Sequence, residues 1–272
     1  MDWPPEERAR LGGGGPLTLT RNLPETQRVL DRDLLAKATE VLGSAPAKVR
    51  VEPNWGRADS RIIEMGREER ADLIVIGSHQ YHGFELLWNV SVSRGLLHHA
   101  PMNVVVVPMA TELAHGGGTI PQLGRVLAAT DFSALGDRAV PYAYATLPRG
   151  ALVKLIHVIP PWELPGPLVP YFQPKRLTEK QHKQLAADSL KQLRTLVPAE
   201  AEARGIVTEL EVIQHRDPAK AIGQEAERFG ADVICLGSHG RGSLSKAVLG
   251  SVAQTVMTHS PRPLLLVRPP KP

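Results

Sequence analysis

The 272-residue chain has a single cysteine, Cys235, so no disulfide can form within it. This usage is typical of a protein in a reducing cytoplasm. Because Cys235 lies inside an apolar segment, we expect a buried, unreactive thiol. The sequence shows no signal-peptide core and no apolar run near the ~18 residues that a membrane span needs. These absences favour a globular, cytoplasmic protein.

Aromatic residues and strongly basic patches are also scarce. Aromatics make up 4% of the chain, so a core must be built from Leu, Ile, Val and Ala. The net charge is +4, but no Lys/Arg stripe is interleaved with aromatics, so nucleic-acid binding is not supported. A mildly basic balance suits a small phosphorylated ligand equally well.

Known catalytic and metal-binding motifs are missing. There is no Gly-x-Ser-x-Gly elbow, no His-Glu-x-x-His and no spaced carboxylate pair, so we predict no catalytic residues. Four histidines, at positions 79, 82, 98 and 99, lack a carboxylate or thiol cluster, and we predict no metal site. No lysine stands where a Walker loop needs one, and the third glycine of a dinucleotide fingerprint is absent.

The stretch from Ala231 to Ser251 carries the strongest positive signal. It opens as an apolar run without alternation, Ala231–Leu236, which is typical of a strand covered on both faces of a parallel sheet. Glycines follow, and Gly250 opens a new periodic segment. Glycine lets the backbone approach a ligand, and N–H groups at a helix N-terminus attract anions. The pattern predicts a phosphate-binding loop between a strand and a helix. The alternative is a tight turn that binds nothing.

The chain repeats itself at an offset of 160 residues. Residues 71–79 (ADLIVIGSH) lie on residues 231–239 (ADVICLGSH), and the same offset places Ser91 on Ser251. Such a repeat predicts two copies of one α/β unit. We assign a first domain to residues 1–110, a Gly- and Pro-containing linker to 111–123 and a second domain to 124–272.

The second copy is complete. Five apolar segments alternate with four helical ones, which indicates a parallel, doubly wound sheet with right-handed crossovers. The first strand, Arg125–Thr130, is followed by Asp131 and Ser133, either of which can cap the next helix. Pro198 should end or kink a long helix over about residues 178–204.

The first copy is not complete. Pro16–Thr20 is similar to a second strand, Glu25–Leu42 to the long helix and Val49–Glu52 to a third strand, but nothing before Pro16 can serve as a first strand. We therefore expect this copy to lack strand one and the aspartate that would end it.

The loop of the first copy has also diverged. Gln80 stands where the second copy has Gly240, and Val90 stands where it has Gly250. A β-branched side chain adds bulk where the backbone would have to meet a phosphate. We predict one competent site per chain, in the second copy.

The spacing of Gly237, Gly240 and Gly250-Ser251 resembles the ATP-binding branch of the universal stress protein family. The resemblance implies a five-stranded sheet of order 3-2-1-4-5 in each copy, with strand one missing from the first. Strands one and four are then neighbours where the strand order reverses, which is where doubly wound sheets bind ligands. Asp131 and Gly237 would meet there.

The resemblance also assigns roles. Ala129–Asp131 and Val158, just past strand two, would border the adenine, and Asp131 would bond the base or the ribose. The glycines would surround the phosphates with N–H groups, Ser251 would add a hydroxyl, and His239 and Arg241 would lie beside them. The sequence departs from the family at Ala129, where a proline is usual. The implied cofactor-binding set is Ala129, Thr130, Asp131, Val158, Gly237, Ser238, His239, Gly240, Arg241, Gly250, Ser251 and Val252.

Plainer roles stay open for three of these residues. Asp131 can be an N-cap alone, since capping is common for aspartate at that place. His239 can bond the loop backbone, and Arg241 can be a solvated charge.

We expect an ATP-binding regulatory module of the stress response, taking ATP alone or with Mg²⁺ and hydrolysing it slowly at most. One alternative is an enzyme that uses adenine nucleotides, such as an adenylating enzyme, although Thr130–Ser133 does not match the Ser-Gly-Gly-x-Asp-Ser loop usual there. The other is an interaction scaffold that needs no nucleotide.

The last strands of the two copies, Met102–Val107 and Pro263–Val267, are apolar edges that need cover. Family dimers pair through this strand, so the resemblance implies that the copies pair in cis as a pseudo-dimer. Further homodimerisation stays open.

Overall fold

The computed structural model describes residues 23–43, 48, 50, 57–78, 92–108, 123–145, 147–161, 178–238 and 249–269. The chain divides into two units, Met1–Trp55 and Gly56–Pro272. The first unit contributes helix α1 (Leu23–Leu42), which agrees with the helix predicted from Glu25. The predicted strand Pro16–Thr20, nearly all of Val49–Glu52 and most of the linker 111–123 lie outside the described residues.

The second unit alternates strands and helices along the chain. In order they are α2 (Ala58–Glu68), β1 (Leu73–Ser78), α3 (Val92–His99), β2 (Asn103–Pro108), β3 (Arg125–Ala129), α4 (Ala134–Ala145), β4 (Leu152–Ile159), α5 (Glu179–Thr195), α6 (Glu200–Ala203), β5 (Val207–Gln214), α7 (Pro218–Phe229), β6 (Val233–Gly237), α8 (Ser251–His259) and β7 (Leu264–Val267). The five strands predicted for the second copy are all present, as β3 to β7.

Local sequence signals set several helix ends. The predicted long helix is broken into α5 and α6, with Pro198 between them. Helix α7 begins after Asp217, whose side chain accepts a hydrogen bond from the Lys220 amide. It ends at Gly230, whose φ of 68° is left-handed and therefore suits glycine.

The described strands form one seven-stranded sheet of order β1-β2-β7-β6-β3-β4-β5. Within it, β5-β4-β3-β6-β7 is the order 3-2-1-4-5 of the second copy, and these five strands are all parallel. The doubly wound fold predicted from the sequence is thus confirmed. From the first copy, the sheet contains strands four and five, as β1 and β2.

The two copies join through their last strands. β2 pairs with β7 in the antiparallel sense, with Val105 opposite Leu265. These two residues are 160 apart, so each lies opposite its own counterpart in the repeat. A pseudo-twofold axis therefore passes through this pair, and the pairing in cis expected for the twin edges is present.

Two hydrophobic clusters cover the two faces of the sheet, because neighbouring strand residues alternate between them. Leu127 and Ala129 belong to the first cluster, which helices α2, α3, α7 and α8 cover across both copies. Val126 and Ala128 belong to the second, which α4, α5 and α6 cover on the second copy.

Candidate functional site

The predicted site lies at the carboxyl ends of β3 and β6, which are adjacent parallel strands. Ala129 pairs with Leu236 at the last rung of their ladder. Thr130 and Asp131 continue from one strand, and Gly237 and Ser238 continue from the other. The fold therefore brings together the two segments that the sequence analysis placed at one crevice.

The turn after β3 is held by side-chain hydrogen bonds. Thr130 Oγ1 accepts from the amide of Phe132 at 2.9 Å and donates to Asp137 Oδ1 at 2.7 Å. Asp131 Oδ1 accepts from both the amide and the hydroxyl of Ser133, the latter at 2.6 Å. Ser133 Oγ in turn accepts from the amide of Gly136, which makes Ser133 the cap of α4. Hydrogen bonds within the protein therefore fix the conformation of this turn.

Two rings lie beside this turn. Phe132 has a φ of 59°, which is unusual for a residue other than glycine. Its ring lies 4.2 Å from the His157 ring, centroid to centroid, and His157 Nδ1 is 2.7 Å from the carbonyl oxygen of Thr130. A carbonyl only accepts, so Nδ1 carries the hydrogen. Strained backbone of this kind clusters at functional sites.

The first turn of α4 packs tightly against both strand ends. A Cβ added at Gly136 would lie 2.5 Å from Asp131 Oδ1, and one at Gly237 would lie 2.6 Å from the carbonyl oxygen of Leu135. Gly237 is thus needed for the close approach of β6 and α4. Any contact between Gly237 and a ligand would come in addition to this packing role.

The start of α8 is tied to the end of β6. The amide of Gly250 donates to the carbonyl of Ser238 at 2.8 Å, and the amide of Ser238 donates to Val267 of β7. Gly250 is the N-cap of α8 and offers no side-chain cap. Helix geometry leaves the N–H groups of residues 251–253 without intrahelical acceptors. This helix end can therefore bind an anion through those groups, but not through the amide of Gly250.

The other predicted residues fall into three groups. The buried side chain of Ala129 belongs to the first hydrophobic cluster, and the partly buried side chain of Val252 packs against that cluster. Val158 lies inside β4, which extends to Ile159, and not past the strand as predicted, because Val158 and Ile159 still pair with Ile213 and Gln214 of β5. His239, Gly240 and Arg241 lie outside the described residues.

Sequence reasoning missed His157 and Asp137, which hold the turn after β3 through Thr130. A histidine near the end of an otherwise apolar strand was the available signal for His157. No signal marked Asp137, since an acidic residue in the first turn of a helix is ordinary.

The described residues contain no group of three or more His, Cys, Asp or Glu side chains that could hold a metal ion. None of their helices is both long enough and apolar enough to cross a membrane.

A sequence profile of the universal stress protein family matches the chain twice, at residues 7–108 and 123–268. The two matches correspond to the two copies found from the internal repeat. The chain belongs to the universal stress protein family.

Individual relatives agree with this assignment. A universal stress protein of Mycolicibacterium smegmatis is 28% identical over 200 residues, which cover 73% of this chain and 62% of that protein. A Thermus aquaticus universal stress protein is 34% identical over 148 residues, 53% of this chain and 97% of that protein. The crystal structure of a universal stress protein from Archaeoglobus fulgidus has the same fold, with a TM-score of 0.62 and 24% identity over 95% of this chain and 81% of that one.

Proposed function

We propose that the second copy binds an adenine nucleotide, with ATP as the expected ligand, and that the chain acts as a nucleotide-responsive regulatory module. One observation carries the proposal: the ends of β3 and β6 meet the uncapped N-terminus of α8 at the carboxyl edge of the sheet. The strand order reverses at β3, because β4 and β5 lie on one side of it and β6 and β7 on the other, and ligands of doubly wound sheets bind at such a point.

The roles divide between the two strand ends. The turn Thr130–Ser133 would face the base or the ribose, with Asp131 as the polar contact. The N–H groups at the start of α8 would face the phosphates, together with the Ser251 hydroxyl and with Gly240 and Arg241 from the glycine loop. Contacts at a helix end are worth about 0.3–1 kcal/mol each, and up to ~2 when partly buried. Micromolar affinity corresponds to about 8 kcal/mol, so the helix end would supply part of it and the contacts with the base and the ribose the rest.

Hydrolysis should be slow at most. Phosphoryl transfer needs a positioned base and metal ligands. The carboxylate at the end of β3, Asp131, already accepts two hydrogen bonds from Ser133 through Oδ1, which suits a positioning role better than proton abstraction. Any Mg²⁺ would arrive with the nucleotide and be held largely by its phosphates. The proposal places the protein in the reducing cytoplasm, since its one cysteine is a buried thiol.

The test is thermal unfolding of the purified chain with and without ATP. A ligand at 100 times its dissociation constant stabilises the folded state by about 2.7 kcal/mol. Ser251→Glu should abolish the shift, because its carboxylate would stand among the phosphates. Ser251 is exposed at the first position of α8, where an acidic residue favours the helix, so the variant should fold normally.

The matched control is Ser91→Glu, the same change at the repeat-related position, which should leave the ATP shift intact. Gly240→Val tests the loop independently and should also abolish the shift. The proposal fails if ATP, ADP and AMP all leave the wild-type melting temperature unchanged. It fails equally if Ser251→Glu and Gly240→Val both keep the full shift.

A further inference from the structure

Strand β4 pairs over different lengths on its two sides. On one side it pairs with β5 as far as Ile159, which lies opposite Gln214. On the other side the register with β3 ends earlier, where Ile156 lies opposite Ala129. Val158, near the carboxyl end of β4, therefore still pairs with β5 but lies beyond the ladder with β3.

The backbone groups of Val158 lie on the β3 side of the strand. In a parallel strand, every second residue directs both its N–H and its C=O to the same neighbour. Ile156 is such a residue, since its carbonyl accepts from the amide of Thr130 at 3.1 Å, and Val158 is the next. One more step of the ladder would join the Val158 amide to the Thr130 carbonyl, and the Val158 carbonyl to the Phe132 amide.

Both of these partners on the β3 side are bound elsewhere. The carbonyl oxygen of Thr130 lies 2.7 Å from His157 Nδ1, which carries the hydrogen of this bond. The amide of Phe132 donates to Thr130 Oγ1 at 2.9 Å. The Phe132 ring, 4.2 Å from the His157 ring between centroids, packs against the histidine. Two side chains therefore satisfy the backbone groups that would otherwise continue the ladder at Val158.

We propose that His157 is a positioning residue for the nucleotide. By holding the Thr130 carbonyl, it keeps β3 from pairing with Val158, whose N–H and C=O then serve the ligand. The inference rests on the proposed function, since it concerns the side of the site that borders the base. Base edges present hydrogen-bond donors and acceptors, and Val158 offers one of each. An amide that is already paired within the sheet would have to lose that bond first, so an open ladder favours binding.

The test is the dissociation constant of ATP for the purified chain, measured by isothermal titration calorimetry well below the melting temperature. His157→Leu removes the donor and releases the Thr130 carbonyl to the Val158 amide, so the constant should rise at least about tenfold. His157→Asn keeps a donor, because asparagine Nδ2 takes the place of histidine Nδ1, and should stay within about threefold of the wild type.

The matched control is His215→Leu. His215 Nδ1 also lies 2.7 Å from a carbonyl oxygen, that of Asp217, just after the neighbouring strand β5. This substitution removes a similar histidine-to-backbone contact away from β3, and it should leave the dissociation constant of ATP unchanged.

Hydrogen exchange of the Val158 amide without nucleotide separates positioning from a general loss of structure. Exchange should be slower in His157→Leu than in the wild type and in His157→Asn, because the amide gains an acceptor in the extended ladder. Thr130→Val releases the Phe132 amide instead and should also raise the dissociation constant. This variant keeps the inference testable if circular dichroism shows that His157→Leu does not fold.

The outcomes distinguish this inference from the proposed function. A wild type that binds no adenine nucleotide overturns both. Wild-type affinity in His157→Leu overturns the inference alone, as does an equal loss of affinity in His157→Leu and His157→Asn. A Val158 amide that exchanges at the same rate in every variant also overturns it.

Discussion

Strands β1 and β6 have nearly the same sequence and different surroundings. On one face of the sheet, Ile74 and Ile234 are both buried in the first hydrophobic cluster. On the other face, Val233 and Cys235 are buried under α4, while Leu73 and Val75 are exposed. The burial of a strand is therefore set by its neighbours and not by its own composition.

The same difference governs the candidate site. Strand β3 and helix α4 supply the turn Thr130–Ser133 and the backbone against which Gly237 packs. Neither element has a counterpart in the described part of the first copy. Strand β3 and helix α4 therefore do two things: they bury β6, and they form one side of the candidate site. Among the described residues both elements belong to the second copy.

The largest difference in stability between variants of the two strands is expected in the core. Ile234→Ala removes a fully buried side chain between two paired strands and should lower the free energy of unfolding by about 2–5 kcal/mol. Val75→Ala, on the exposed face of the related strand, should change it by no more than about 0.5 kcal/mol. Urea denaturation measures both. Equal losses in the two variants would show that β1 is covered in solution as fully as β6, and would contradict the comparison.

The second prediction concerns two related glycines. Gly237→Ala would place a Cβ 2.6 Å from the carbonyl oxygen of Leu135, and backbone atoms cannot rotate away. We expect a loss of about 1–3 kcal/mol from this overpacking. Gly77→Ala, on exposed β1, should be within about 0.5 kcal/mol of the wild type. The denaturation midpoint reports both, and a neutral Gly237→Ala would mean that α4 does not press on β6.

These contrasts show how far the sequence can be interpreted. The repeat and the apolar runs are local patterns, and they suffice for the alternation of strands and helices in the second copy. The strand order and the pairing of the twin edges are what the family resemblance implies, and the glycine spacing carries that resemblance. The capped turn at Ser133 and the break at Pro198 also follow from local chemistry.

Contacts between distant residues could not be predicted in this way. His157 bonds the carbonyl of Thr130, 27 positions away, and Arg268 bonds helix α3 across the two copies. Nothing in the spacing of either residue marks its partner, because the fold alone brings them together. The packing role of Gly237 was missed for the same reason, since its close contact is with the backbone of a helix that begins about 100 positions earlier.

The third prediction tests the joint between the copies. Arg268 is buried just after β7, and its guanidinium donates to the carbonyls of Leu96 and Leu97 at the end of α3. Burial lowers the pKa of Arg268 to about 10, and its Nε has no hydrogen-bond partner among the described residues. Arg268→Met should lower the free energy of unfolding by about 1–2 kcal/mol. The variant loses the hydrogen bonds to Leu96 and Leu97, and this loss outweighs the desolvation cost that it no longer has for a buried cation.

The repeat-related residue is Pro108, so no second arginine can replace this contact. Arg149→Met, at an exposed turn, is the control and should have little effect. Chemical denaturation at pH 7 gives the difference. If Arg268→Met proves neutral or stabilising, the copies are held by β2, β7 and the shared core without help from this side chain.

The smallest effect is expected at Tyr144, on the helix that only the second copy contributes to the described structure. Burial raises the pKa of Tyr144, although its hydrogen bond with Thr208 at 2.8 Å opposes the shift. Folding therefore favours the neutral phenol. This contribution to stability is fully present below the unfolded pKa of about 10 and is lost as pH rises through the folded pKa.

Tyr144→Phe should lower the free energy of unfolding by about 0.5–1.5 kcal/mol at pH 7 and reduce the decline in stability above pH ~10. Tyr142→Phe, on the same helix, is the control for losing a hydroxyl. An alkaline decline as steep in Tyr144→Phe as in the wild type would show that Tyr144 ionises as readily folded as unfolded, and that α4 does not seal this face of the sheet.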